Sequence, residues 1–232
     1  MTLISYHLQQ IQGRIIQACA AANRSVKDVH LLAVSKTFGK DAIQEAINAG
    51  QLAFGENYVA EGVSKIQHFH ALNPLLQWHM VGHIQSNKTK DVALNFQWVH
   101  AIDRFKIAQR LNEQRPPELG KLQACIAVNV SGEKSKSGVK PEEVTALAAQ
   151  IMSLPHIQLR GLMCIPEPAG ELETQRKPFA LMRFLLEELQ RNGLPLDTLS
   201  MGMSDDMEAA IMEGATIIRI GRGIFGDRHY QH

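Results

Sequence analysis

Apolar residues at Leu8, Ile11, Ile15 and Cys19 recur three or four positions apart, so residues 3–22 read as an amphipathic helix that must dock on another surface. Beyond it the pattern changes to short, continuous apolar runs alternating with amphipathic stretches. The runs read as strands at 29–36 ("VHLLAVSK"), 51–57 ("QLAFGEN"), 77–84, 98–103, 122–130, 157–165, 198–203 and 216–221. The stretches between them read as helices at 40–50, 58–72, 86–95, 104–114, 141–154, 179–193 and 204–214, with Gly50 where a C-terminal cap belongs. Strands apolar along their whole length predict a parallel sheet covered on both faces. Eight such βα units in 232 residues predict a single (β/α)₈ barrel with an extra N-terminal helix, and a doubly wound sheet is the alternative. No low-complexity stretch or linker divides the chain, so residues 1–232 read as one domain. Pro178 suits either the first turn of a helix starting near Lys177 or a kink in a longer one starting near Glu171.

Composition narrows the class of partner. With 45% hydrophobic and 20% charged residues and a formal charge of +1, the chain offers no basic field for nucleic acid, and a small molecule is the expected ligand. Gln, His and Arg interrupt the apolar positions of the first 17 residues, which excludes a secretory segment or membrane span there and predicts a cytoplasmic protein; a monomer is expected, though no sequence feature fixes the oligomeric state. Cys19, Cys125 and Cys164 are odd in number and far apart, so reduced, packed thiols are expected. His79 and His83 are four apart in a strand-like run, with no third ligand type to complete a metal set.

In such a barrel chemistry collects at the C-terminal ends of the strands. Lys36 closes the first apolar run. Burial there would favour the free amine that attacks an aldehyde, whereas the bland reading is a lysine reaching to solvent at the rim. The turns after the seventh and eighth strands carry Gly202, Gly221 and Gly223, with Ser200 and Ser204 as hydroxyl donors and a helix starting at Ser204. Asp205 and Asp206 would compete with an anion at that helix start, so the Gly221–Gly223 turn is the expected phosphate cradle, assisted by the Ser204 side chain. Arg219 stands inside the apolar "TIIRIG" and needs a partner, either a buried carboxylate or a heteroaromatic nitrogen. An amine for an aldehyde, a cradle for a phosphate and a guanidinium for a ring nitrogen are together the three handles of pyridoxal 5'-phosphate. Lys134 and Lys136 in "SGEKSKSG" read as a solvated loop or a second anion contact, and His83 and Asp103 as walls of the site.

The segments "AVSKT", "FGENYVAEG", "WHMVGHIQSNK", "KSG", "RGLMCI", "LSMGMSDDMEAAI" and "IRIGRGIFG" resemble, in order and over nearly the whole chain, the pyridoxal phosphate homeostasis proteins, single-domain relatives of the barrel half of alanine racemase. The resemblance implies that Lys36 holds the cofactor as a Schiff base, that Asn57 lies near its ring, that Ser204 and the Gly221 turn bind its phosphate, and that Arg219 faces the pyridine nitrogen. Arg222 departs from the small hydroxyl residue common at that position, so its side chain either adds a charged phosphate contact or points away. The implied role is to buffer pyridoxal phosphate or deliver it to apo-enzymes. The alternatives are an amino-acid racemase, for which Tyr58 and Tyr230 stay open as bases, and a Schiff-base aldolase acting on a sugar phosphate.

Overall fold

A computed structural model describes residues 2–132 and 137–226. Its eight strands are β1 (His30–Val34), β2 (Ala53–Glu56), β3 (Gln77–Met80), β4 (Trp98–Ile102), β5 (Leu122–Ala127), β6 (Ile157–Met163), β7 (Thr198–Ser200) and β8 (Ile217–Ile220). They pair in parallel, in sequence order, into a closed barrel, β8 returning to β1 with Ile217 opposite His30 and Arg219 opposite Leu32. The helices are α1 (Leu3–Ala21), α2 (Lys40–Asn48), α3 (Val59–His70), α4 (Thr89–Asn95), α5 (Phe105–Gln114), α6 (Val144–Met152), α7 (Leu172–Arg191), α8 (Met207–Met212) and α9 (Arg222–Phe225). The doubly wound alternative is thereby excluded, because closure leaves no sheet edge. Among the described residues no helix is long and apolar enough to cross a membrane.

Each strand divides its side chains between two cores, because successive residues point to opposite faces. Ala33, Ile218 and Ile220 face the helices in the main hydrophobic cluster, while Leu32, Val34 and Ile217 face inward. The same alternation sends Arg219 into the barrel, where it is 4% exposed. Irregular register between Val99 and Ile102 in β4, and beside β6 at Ala124/Cys125, resets the alternation on that side. The extra helix α1 buries Leu8, Ile11, Ile15 and Cys19 on the predicted stripe and packs against α2, α8 and α9. All three cysteines are free and buried, and burial pushes the Cys125 and Cys164 thiols up to about 12.

One open choice is settled and several element ends differ from the sequence expectation, two of them bearing on the site. Helix α7 begins at Leu172, behind Glu171, and carries Pro178 inside, so the longer of the two readings holds. Helix α8 begins at Met207 rather than Ser204, because the Asp206 carboxylate accepts the Met203 N–H at 2.6 Å and holds residues 203–206 in a turn. Strand β1 ends at Val34, so Lys36 sits in the following turn rather than in the strand. Lys134, Lys136 and Tyr230 lie outside the described residues.

Candidate functional site

The C-terminal mouth of the barrel holds a cavity of about 550 Å³ whose wall includes Val34, Lys36, Asn57, Ser204, Arg219, Gly221 and Arg222. Six of the seven residues expected to hold a cofactor therefore meet on one wall, delivered by the ends of β1, β2, β7 and β8. A second lobe of about 360 Å³ adjoins it through Asn57, Val81 and Ile165 and carries His83 and Asn129. His83 lies 3.2 Å from the Asp103 carboxylate, and Arg104 reaches the same carboxylate at 2.8 Å. The histidine is thus an oriented wall residue, and among the described residues no group of three metal-ligating side chains exists. Asn57 Oδ1 is buried without a hydrogen-bond partner among the described residues, an acceptor left over at the mouth.

Ser200 is placed elsewhere. Its alternation on β7 turns it into the barrel interior, where it is 0% exposed and off the cavity wall, so it is no anion donor at the mouth. Instead its hydroxyl accepts from Arg219 Nη1 at 2.8 Å, and Arg219 Nη2 donates to the Cys164 carbonyl at 2.8 Å. The carboxylate partner considered for Arg219 is replaced by two neutral oxygens. Burial lowers the guanidinium's pKa from its ordinary value, yet an arginine remains a cation and a donor only. Two of its five N–H groups are spent on this floor, and the residue lines the cavity above it.

Below Ser200 the polar chain continues. His100 Nδ1 lies 2.7 Å from Ser200 Oγ, and His100 Nε2 lies 2.9 Å from His79 Nδ1. His79 stacks on Trp98 at 5.3 Å, and the Arg160 guanidinium lies 5.0 Å over that indole. Burial holds the His79 imidazole down at about 3 and the His100 imidazole well below its usual value. Both rings are therefore neutral in the fold but take up protons below about 6.5 when the chain unfolds. Stability from these two groups is full above that pH and is lost progressively on acidification below it, by about 1.4 kcal/mol per pH unit for each ring. Urea unfolding should lose about 4 kcal/mol from this source between pH 7.5 and 5, and His79→Gln should roughly halve the loss. An unchanged pH dependence in that variant would show that the imidazoles are not the cause.

The expected phosphate cradle is braced from behind. Arg14 of α1 donates to the Ser204 carbonyl at 3.0 Å while pairing with Glu208 at 2.8 Å, and Ser204 Oγ accepts the Gly223 N–H at 3.3 Å. Gly202 adopts φ 95°, a conformation open to glycine, and an added Cβ would press on Ala210 and Ile218. Arg222 is exposed and pairs with Asp205 at 2.6 Å, so the acid that would repel an anion is already neutralised by its neighbour. Burial pushes the Asp206 carboxyl up, while the Met203 N–H that it accepts acts in the opposite sense.

Sequence reading missed Lys65, a residue with 5% exposure in α3. The signal was present: with Gly62, Ile66 and Phe69 it falls on the buried stripe of that helix. His100 was missed as well, although a histidine inside "WVHAI" carries the same message as Arg219 inside "TIIRIG".

The sequence profile of the alanine racemase N-terminal domain matches residues 7–229. A protein of Pseudomonas aeruginosa named pyridoxal phosphate homeostasis protein is 53% identical over 230 residues, covering 99% of this chain and 98% of the relative. The protein of that name from Pasteurella multocida is also 53% identical, covering 98% of each. Among solved structures, PipY of Synechococcus elongatus with PLP bound matches with a TM-score of 0.84 and 34% identity, over 96% of this chain and 100% of that one.

Proposed function

The chain belongs to the pyridoxal phosphate homeostasis family, built on the barrel of the alanine racemase N-terminal domain, and from that premise we propose that it holds pyridoxal 5'-phosphate on Lys36 and buffers or delivers it inside the cell. The observation that carries this reading is the convergence of Lys36, Arg219, Ser204 and Gly221 on one cavity of about 550 Å³, a size suited to a small phosphorylated ligand. The residues fit the group: an amine for its aldehyde, a cation-donor for its ring nitrogen, a hydroxyl and a glycine turn for its phosphate, and the unpartnered Asn57 Oδ1 beside them. When bound, pyridoxal phosphate supplies an aldehyde that condenses reversibly with a primary amine, forming a C=N bond and releasing water.

The protein's own residues then set the outcome. Arg219 does not give up its proton, so it donates to a neutral ring nitrogen and leaves the ring a weak electron sink. This favours storage over carbanion chemistry, but a racemase works with the same arginine when two bases flank the substrate's α-carbon, so it is the relatives' name that supports the homeostasis reading above a racemase. Gly221 and Ser204 would anchor the phosphate, with Arg14 keeping Ser204 in place from behind. Arg222 would meet the phosphate only by leaving Asp205, so the pair tunes affinity with ionic strength. We read the activity as residing in this one domain, acting as a cytoplasmic monomer, with apo forms of pyridoxal-phosphate enzymes as recipients.

Mixing the loaded protein with such an apo-enzyme tests the proposal. The recipient should gain activity as the loaded protein loses its visible absorbance. Cofactor that never moves, together with solvent deuterium appearing at the α-carbon of an added amino acid in proportion to the protein, would favour the racemase instead.

A further inference from the structure

A buried ionic cluster lies one layer behind the mouth, between β2 and α3. Lys65 Nζ donates to Glu56 Oε1 at 2.8 Å, to Glu61 Oε1 at 2.6 Å and to the Ser35 carbonyl oxygen at 2.8 Å. Glu56 is 0% exposed, and its Oε1 also receives the Ser35 hydroxyl at 2.5 Å. Glu61 Oε1 accepts a further bond, from the Thr37 amide at 2.6 Å. The Ser35 carbonyl belongs to the peptide before Lys36 and the Thr37 N–H to the peptide after it. Both planes that fix the backbone of Lys36 are therefore tied to one buried ammonium.

Thr37 adopts φ 68°, a left-handed conformation unfavourable for a β-branched residue, and the Phe38 N–H closes the turn onto the Ser35 carbonyl at 3.1 Å. A turn of this kind persists only where its surroundings over-determine it. Closing the barrel does not call for such a cluster, because ion pairs taken out of water add little net stability over apolar side chains of similar volume. What the cluster does specify is the direction in which residue 36 leaves the end of β1. Leu32 and Val34 point inward, and a backbone held at Ser35 and Thr37 lets residue 36 continue that series onto the cavity wall beside Arg219.

We propose that Lys65, with Glu56 and Glu61, is a positioning device that fixes the turn carrying Lys36, so that its amine is aimed at an incoming aldehyde before that aldehyde arrives. This inference rests on the cofactor reading of the mouth. The residues act through Lys36 and touch no ligand themselves.

Two variants test it. Glu61→Ala removes the tie to Thr37 at a side chain with 27% exposure. The double substitution Lys65→Met with Glu56→Gln removes both members of the buried pair, so neither charge is stranded. In the ligand-free proteins the Thr37 amide should exchange with solvent deuterium at least roughly tenfold faster than in wild type, while exchange in the β4–β6 strands is unchanged. Capture of pyridoxal phosphate, followed by growth of the visible band, should slow by roughly tenfold, with the affinity for inorganic phosphate retained. Wild-type rates of Thr37 exchange and of capture in both variants would overturn the inference, as would slower capture that only tracks a falling melting temperature. Wild-type protein that takes up no pyridoxal phosphate would instead sink the cofactor reading and this role with it, an outcome distinct from uptake that is merely indifferent to Glu61.

Discussion

Lys36→Ala should yield a folded, colourless protein whose affinity for pyridoxal phosphate is roughly 100-fold weaker than that of wild type, about 3 kcal/mol. Lys36 lies in a turn and is only half-buried, so its truncation opens no core cavity and should leave the melting temperature nearly unchanged. What it removes is the amine on the cavity wall shared by Arg219, Ser204 and Gly221. The phosphate contacts remain, and residual binding should therefore persist, competed by inorganic phosphate. Absorbance titration of the variant beside wild type measures both parts. A visible band of wild-type strength in Lys36→Ala would mean that another lysine carries the cofactor.

Gly161→Ala should be the most damaging single methyl in the chain, costing about 3 kcal/mol or more, with a fall in melting temperature on the order of 10 °C. Gly161 pairs with Thr198 across β6 and β7, and a Cβ there would land far inside van der Waals contact with the Thr198 carbonyl oxygen. That neighbour is backbone of a three-residue strand and cannot swing aside as a flexible side chain would. Relief must come from pushing β7 outward, which moves Ser200 and with it the floor that orients Arg219. Thermal melts and pyridoxal phosphate titration should therefore deteriorate together. A variant as stable as wild type would show that the β6–β7 contact is looser than the observed register implies.

Much of the architecture was legible because a parallel barrel writes itself as apolar runs at regular intervals. The mouth was legible for a related reason: a cation inside an apolar strand, as Arg219 is inside "TIIRIG", has few explanations. Strand parity decided what composition could not. It turned Ser200 into the barrel interior beside His100 and Arg219, below the cavity that Ser204, four residues later, reaches. The start of α8 was misread because "SDD" reads as a helix start, and the Asp206 side chain instead holds the preceding turn. Lys65 escaped because a lysine in a helix is ordinarily solvated, and only its place on the stripe of Gly62, Ile66 and Phe69 marks it as buried. The link from Glu61 to Thr37 joins residues 24 positions apart through a backbone amide, and no side-chain pattern records such a bond.

The central claim is that Lys36 carries the cofactor, and borohydride reduction of the loaded protein followed by peptide mapping tests it most directly. Reduction makes the attachment permanent, so the account predicts one pyridoxyl group per chain on the peptide containing Lys36. A pyridoxyl group found on any other lysine, with Lys36 unmodified, would contradict it.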